Sequence, residues 1–310
     1  MSAEASRKVL LLGATGTIGR AVRAELQARG QAVVCLGRGP DGALPKAPEL
    51  ERLMVAGRIE AVLSCMASRT GAPRDAWAVD HDAHLAVLRA AQAAGVGQFV
   101  LLSAICVQKP MLAFQQAKLA FEAALIASGL RYSIVRPTAY FKSLSGQIAR
   151  VQAGKPYLVF GDGRATSCKP ISDGDLAAYL VDCLERAERW NRVLPIGGPG
   201  PALTPREMGE ELFRLTGRRP RFRSVSPRLL DLVVAGLALG GRVSPRLADK
   251  AELARIGRYY ATESMLVWDA RAGRYDAAAT PETGRDRLFD HYAAVLRGEV
   301  SVERGDHAVF

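Results

Sequence analysis

The chain has 310 residues and a mass of 33.2 kDa, with 49% hydrophobic and 24% charged residues, which suits one large globular unit or a nucleotide domain with a smaller partner. That composition excludes a disordered body, and a net charge of +11 favours anionic partners such as nucleotide phosphates, acidic substrates or lipid headgroups without choosing among them. The cysteines at 35, 65, 106, 168 and 183 are odd in number and lack a paired spacing, so neither a disulfide framework nor a metal motif is expected, and a reducing compartment is.

The polar N-terminus runs straight into a glycine loop without an apolar signal segment, so a cytoplasmic chain is expected. The longest apolar stretch, Leu232 to Gly241, is about half of the ~20 residues that cross hydrocarbon.

Lys8 to Leu12 reads as a buried strand, Arg20 to Gln27 as a helix through Val22 and Leu26, and Ala32 to Leu36 as a second strand. Ile59 to Cys65 and Phe99 to Ser103 continue as strands, separated by an alanine-rich helix over Val79 to Ala94. Phe114 to Ser128 is expected to be helical, and Tyr132 to Val135 extended, stopping at Arg136-Pro137 because proline disfavours a helical predecessor. This alternation predicts an α/β fold, a Rossmann-like doubly wound parallel sheet with a smaller substrate-binding cap.

Further on, Ser143 to Ala153 and Asp175 to Glu188 read as helices and Val193 to Ile196 as a late strand. Thr204, Pro205 and Glu207 form a helix start, with a hydroxyl cap, a first-turn proline and an acid three residues on. The expected division is a nucleotide domain over residues 1–140, completed by 171–197, a cap built from 141–170 and 198–290, and a weakly specified C-terminal segment, 291–310.

Gly13, Thr15, Gly16, Thr17, Ile18 and Gly19 belong to a GxxGxxG loop between a predicted strand and helix, where backbone amides can approach a pyrophosphate. A purely structural turn is the alternative, but dinucleotide binding accounts for all three glycines. Arg38, after the second strand, can meet a ribose phosphate, and no acid stands at the strand's immediate end, so NADPH is favoured over NADH. Against this, Asp41 is close by, and Arg38 can equally be an exposed solubilising charge. Phe114 and Lys118 lie four apart on one helical face. A phenol at position 114 would protonate a carbonyl oxygen, which phenylalanine cannot do, so ordinary ketone chemistry is disfavoured. Lys118 can orient ribose hydroxyls or stabilise negative charge, or be a surface lysine.

The segments GATGTIGRAV, SCMASRTG, LLSAICVQKP, FQQAKLAFE, YSIVRPTAYFKSL, CKPISDGDLA, NRVLPIGGPGPALTP and IGRYYATESMLVWD together resemble the divinyl chlorophyllide a 8-vinyl-reductase family, an NADPH-dependent, NmrA-like branch of the atypical short-chain dehydrogenases. The resemblance spans roughly residues 7 to 290. It implies reduction of a chlorin's C8 vinyl group to ethyl, in chlorophyll or bacteriochlorophyll synthesis and near a photosynthetic membrane. It also implies Gly13, Gly16 and Gly19 on the NADPH phosphates, Arg38 on the ribose phosphate and Lys118 on the nicotinamide ribose. Phe114 departs from the wider superfamily's tyrosine coherently, because no substrate carbonyl must be protonated.

Ser64 opens the segment SCMASRTG and Pro137 the segment PTAYFK, each following a predicted sheet strand, and their loops are expected to face the cofactor. Tyr140 and Phe141 are candidate pocket walls, with core packing the equal alternative for either, and Tyr140 is also a candidate proton source. Cys65 and Cys106 are expected to be buried structural residues. Asp173 and Asp175 are expected to cap the returning helix.

Six arginines, at 214, 218, 219, 221, 223 and 228, fall in a stretch without acids. Arg221 and Arg223 are candidates for the pigment's carboxylate, the others a solvated face or an attraction to anionic membrane. No base-reading module accompanies them, so nucleic acid is not an expected partner. The apolar run Leu229 to Leu239 is expected to pack in the core, although its basic flanks permit a peripheral membrane patch. His81 and His84 lack a third ligand and are expected to be surface polar residues rather than a metal site. Two other readings stay open: a reductase of another conjugated small molecule, and a nonenzymatic NmrA-like NADP(H) sensor.

Overall fold

The computed structural model describes residues 7–37, 44–241 and 244–301. Strand β1 (Lys8–Leu12) leads through α1 (Thr17–Ala28) to β2 (Ala32–Leu36), then through α2 (Ala47–Gly57) to β3 (Ala61–Ser64). A bent helix follows: α3 (Pro73–Ala76), a π-helical turn (Trp77–Ala83) and α4 (His84–Ala93). β4 (Gln98–Leu102), α5 (Ala113–Ile126) and β5 (Arg131–Pro137) complete the first half.

These strands and β7 (Arg192–Ile196) form one parallel sheet in the order β2-β1-β3-β4-β5-β7. The chain reverses its direction of winding between β1 and β3, the position where doubly wound sheets open a ligand crevice at the carboxyl ends of their strands. β1 explains why the strands read as apolar runs: Val9 and Leu11 enter one core, Leu10 and Leu12 the other, because helices cover both faces. α1 and α8 (Asp173–Asp182) pack on the first face, with α2, α4 and α5 on the second.

A third apolar core belongs to the elements beside the sheet. It takes residues from α6 (Phe141–Leu144), α7 (Ile148–Gln152), β6 (Tyr157–Phe160), α9 (Pro205–Leu215), β8 (Phe222–Val225), α11 (Pro245–Thr262), β9 (Val267–Asp269) and α12 (Leu288–Leu296). β6 pairs with β8, and β9 with β10 (Arg274–Asp276), in two small separate sheets. Thr204 caps α9 as its sequence foretells, its hydroxyl accepting from Glu207 N while Glu207 accepts from Thr204 N.

Four expectations change. The helix expected over 143–153 is two short helices, interrupted around Gly146. The helix expected over 175–188 ends at Asp182, and its cap is Ser172, whose hydroxyl accepts from Asp175 N at 3.0 Å. His84 is 1% exposed rather than a surface residue, and both of its ring nitrogens are satisfied inside, by Ser64 Oγ and Val79 O. The run 229–239 forms α10 (Pro227–Gly241), packed on α11, yet none of its described side chains is buried: α11 holds one side of α10, and the described side chains of its far side stay exposed.

Candidate active site

The loop after β1 and the loop after β3 meet at the crevice. Gly13 has φ +73°, and a Cβ on it would lie 2.7 Å from the carbonyl carbon of Cys65. On Gly19, a Cβ would fall 2.0 Å from Gly13 O, so this glycine lets α1 close against its own loop. Gly16 differs, because a Cβ there meets only Gly13 O at 3.4 Å and otherwise points into open space. Gly16 caps α1 without a side-chain hydrogen bond, and the first turn carries no acid. The leading amides are therefore open to an anion at the positive end of the helix. Thr15 and Gly16 are exposed and Thr17 half-buried, whereas Ile18 packs into the core and has only its backbone to offer.

Lys142, which the sequence reading passed over, reaches this point from α6: its Nζ donates to Thr17 Oγ1 at 2.8 Å. Thr17, Arg20, Lys142 and Asp173 line a cavity of about 390 Å³. Among the described residues, Asp173 Oδ1 is buried without a partner, and burial pushes this carboxyl's pKa above its usual range. A hydroxyl or water there would satisfy it. An open helix terminus, a lysine beside it and an orphaned acceptor suit the phosphates and hydroxyls of a dinucleotide. The signal for Lys142 was its place one residue beyond the aromatic pair after β5.

Lys118 projects from α5, and its Nζ donates to Asp80 Oδ1 at 2.9 Å. Asp80 is 1% exposed and also accepts from Ser68 Oγ at 2.6 Å and Ser68 N at 3.2 Å. Burial alone would raise its pKa, but Lys118 and Ser68 outweigh that and hold the carboxyl below its usual range. Below Asp80, His84 Nδ1 donates to Val79 O at 2.7 Å, which leaves Nε2 to accept from Ser64 Oγ at 2.8 Å. The Ser64 hydroxyl is thus committed to His84, and the residue is fully buried.

Phe114 is half-buried one turn before Lys118 and lies near Ile256 of α11 across Gly71, where an added Cβ would be 3.7 Å from Phe114 and 2.8 Å from Ile256. Pro137 ends β5, and Tyr140 sits three residues beyond it, bridged to Ile171. Burial raises the Tyr140 phenol's pKa, with added upward pressure from Cys65, Asp173 and Cys106, so it keeps its proton. Tyr260 was also missed: its hydroxyl turns inward to 4.0 Å from Cys106 Sγ although 39% of the residue is exposed. The Tyr-Tyr pair in IGRYYATES was its sequence signal. Burial likewise pushes the Cys65 thiol up, consistent with an inert side chain.

Other expected site residues fall elsewhere. Phe141 is 5% exposed in the third core, its ring centroid 5.3 Å from that of His291, so it is a packing residue that only borders the Lys142 cavity. Arg221 and Arg223 are exposed beside and on β8, and the structure does not bring them to the strand-end loops, because the alternation of β8 turns Phe222 inward instead. Arg38 lies outside the described residues. Among the described residues, no group of three or more His, Cys, Asp or Glu side chains is placed to hold a metal.

A glycine loop opening a helix at the reversal point of a doubly wound sheet, with a lysine on the helix before β5, defines a dinucleotide-binding oxidoreductase of the short-chain dehydrogenase type. Comparison with known proteins agrees. The NAD(P)H-binding family model matches residues 13–187. Divinyl chlorophyllide a 8-vinyl-reductases of Oryza sativa subsp. indica and Arabidopsis thaliana, both described as chloroplastic, are 46% and 44% identical over 97% and 96% of this chain and 82% and 79% of their own. The chain belongs to the divinyl chlorophyllide a 8-vinyl-reductase family. In fold it is similar to the NADPH-dependent quinone oxidoreductase QOR2 of Escherichia coli, with a TM-score of 0.66, 18% identity and coverage of 93% of this chain and 99% of that one. Among the described residues no helix is long and apolar enough to cross a membrane.

Proposed function

We propose that this protein uses NADPH to reduce the C8 vinyl group of divinyl chlorophyllide a, or of a closely related divinyl chlorin, to ethyl in chlorophyll or bacteriochlorophyll biosynthesis. The observation that carries it is the 44–46% identity, over nearly the whole chain, to reductases of that name. The site is consistent with it, since Phe114 stands where carbonyl reduction would call for a phenol.

When bound, NADPH supplies the hydride, and the pigment's conjugated ring spreads the charge left on it. The chain's residues hold and protonate. The amides of the glycine loop, from Gly13 to Gly19, would hold the pyrophosphate, and Lys142 adds a positive charge beside Thr17. Lys118 holds the nicotinamide ribose, kept in place by Asp80. Tyr140 retains its proton and gives it to the side-chain carbon next to the one that receives the hydride. One hydride and one proton convert vinyl to ethyl. Arg38 remains the proposed partner of the ribose phosphate.

The reading places the enzyme in the cytoplasm at the periphery of a photosynthetic membrane, with no nucleic-acid partner. The test is anaerobic incubation of the purified protein with NADPH and divinyl chlorophyllide, followed by product mass. A gain of two hydrogens confined to the C8 side chain supports the proposal. Tight NADPH binding without turnover points instead to a redox sensor, and turnover only of another conjugated molecule redefines the substrate.

A further inference from the structure

α10 presents its apolar residues in the wrong direction for a core helix. Arg228, Leu232, Ala235 and Leu239, spaced four, three and four residues apart, form one stripe along its outer side, and all are exposed. Leu232 and Leu239 are 71% and 64% exposed, whereas Val234, Leu237 and Ala238 turn toward α11 and are half-buried. α11 is itself anchored, because Ile256 and Tyr259 enter the third core and Tyr259 donates to Cys106 O at 2.9 Å. The hairpin therefore rests on the rim of the candidate active site and turns an apolar face outward.

The charge on the segment leading into that face has one sign. Arg218, Arg219, Arg221 and Arg223 are exposed on the segment leading into α10, and Arg228 heads the stripe itself. No acid lies between residues 212 and 230, and the one acid of α10, Asp231, is neutralised by Arg258. Basic side chains flanking exposed leucines on one helix complement an anionic headgroup layer above acyl chains. A second copy of the chain would bring the same arginines against each other. The 15 residues of α10 rise about 22 Å, short of the ~30 Å hydrocarbon core, so the helix suits lying in the interface rather than crossing it.

We infer that the outer face of α10, with the arginines that lead into it, docks the protein on an anionic lipid surface. This deepens the peripheral-contact part of the proposed function by assigning it to one face. Next to the site's rim, such docking delivers a flat apolar substrate by a short path from the bilayer.

The test is sedimentation with phosphatidylcholine vesicles with and without phosphatidylglycerol, in the absence of pigment and NADPH, so that the outcome is separate from that of the reductase assay. Phosphatidylglycerol should strengthen binding at least about tenfold, and added salt should reverse the gain. Leu232→Glu with Leu239→Glu should remove binding to both vesicle types. Arg219→Glu with Arg228→Glu should remove only the gain from phosphatidylglycerol. Each variant should keep wild-type NADPH affinity, which shows that it is folded. No binding by the wild-type protein, or binding unchanged in the leucine variant, overturns the inference. So does a dimer in analytical ultracentrifugation that the leucine variant dissociates, because the face would then belong to a second copy.

Discussion

The ammonium of Lys118 and the carboxylate of Asp80 form an ion pair of 2.9 Å in which the acid is wholly buried and the base is 12% exposed. The pair joins α5 to the π-turn before α4, and Ser68 fixes the acid from the loop after β3. A long lysine side chain is thereby held in one place beside the strand ends.

Lys118→Ala should raise the KM for NADPH and lower kcat together, by about a hundredfold in kcat/KM, if the lysine holds the nicotinamide ribose. Asp80→Asn should cost roughly 3 kcal/mol of stability, because it leaves a mostly buried ammonium without its counter-charge. The Asp80 contribution is complete above the ordinary carboxylate range and is lost as pH falls through the lower native pKa. Steady-state kinetics and urea unfolding check the two parts, and a Lys118→Ala enzyme with unchanged KM and kcat removes the lysine from the site.

His84 gives a different pH dependence. Burial first, then the charge of Lys118, pushes its imidazole down to about 4, whereas the unfolded chain titrates near ~6.5. The folded form keeps it neutral, so its contribution is complete above ~6.5 and disappears progressively as pH falls toward the native value, a loss of about 3 kcal/mol. Urea midpoints should decline across that window in the wild type and decline less steeply in His84→Gln. Parallel slopes would show that other groups carry the effect.

Two glycines of one loop should respond in opposite ways to the same added methyl. Gly19→Ala places a Cβ 2.0 Å from Gly13 O and should destabilise the fold by several kcal/mol, roughly 3 or more. Gly16→Ala meets only one atom at 3.4 Å and should keep its melting temperature, yet lose at least about tenfold in NADPH affinity as the methyl enters the phosphate path. Thermal unfolding and fluorescence titration separate them.

Lys142→Met removes a charge near Thr17 while keeping most of the side chain's length. Loss of one charge-assisted hydrogen bond of roughly 1.5 to 3 kcal/mol should weaken NADPH by about ten- to a hundredfold, with kcat at saturating cofactor nearly unchanged. Inorganic pyrophosphate should compete with NADPH in the wild type and less effectively in the variant. Equal affinities in both proteins place the phosphates elsewhere.

Tyr140→Phe tests the proton step. About a hundredfold lower kcat with unchanged NADPH affinity is expected if the phenol is the donor. A solvent isotope effect present in the wild type and abolished in the variant would identify proton transfer with this residue, and an unchanged kcat would assign it to another group.

Much of the sheet was legible in the sequence. β1 occupies the span its apolar run marks, because a strand buried on both faces needs uninterrupted apolar residues, and β2, a half-buried edge strand, also fills the span of its own run. The glycine loop was legible for a local reason: a turn that must close within seven residues admits few sequences. Thr204 and Glu207 announced their helix in the same way. Long-range arrangements were not legible. Nothing near Asp80 in sequence points to Lys118, 38 residues away, and nothing near Lys142 points to Thr17, 125 residues away. Phe141, Arg221 and Arg223 were chosen for chemistry suited to a pigment, but burial and strand alternation put the first in a core and the others outside.

By itself, then, the sequence determined the alternating fold, the nucleotide loop and, through its long family segments, the kind of reaction, since each is written in contiguous residues. Only the tertiary structure decided which charges meet and which apolar face lacks a cover. Hydrophobicity along α10 says that its leucines avoid water, whereas the direction in which the described ones point is set by the packing of α10 on α11.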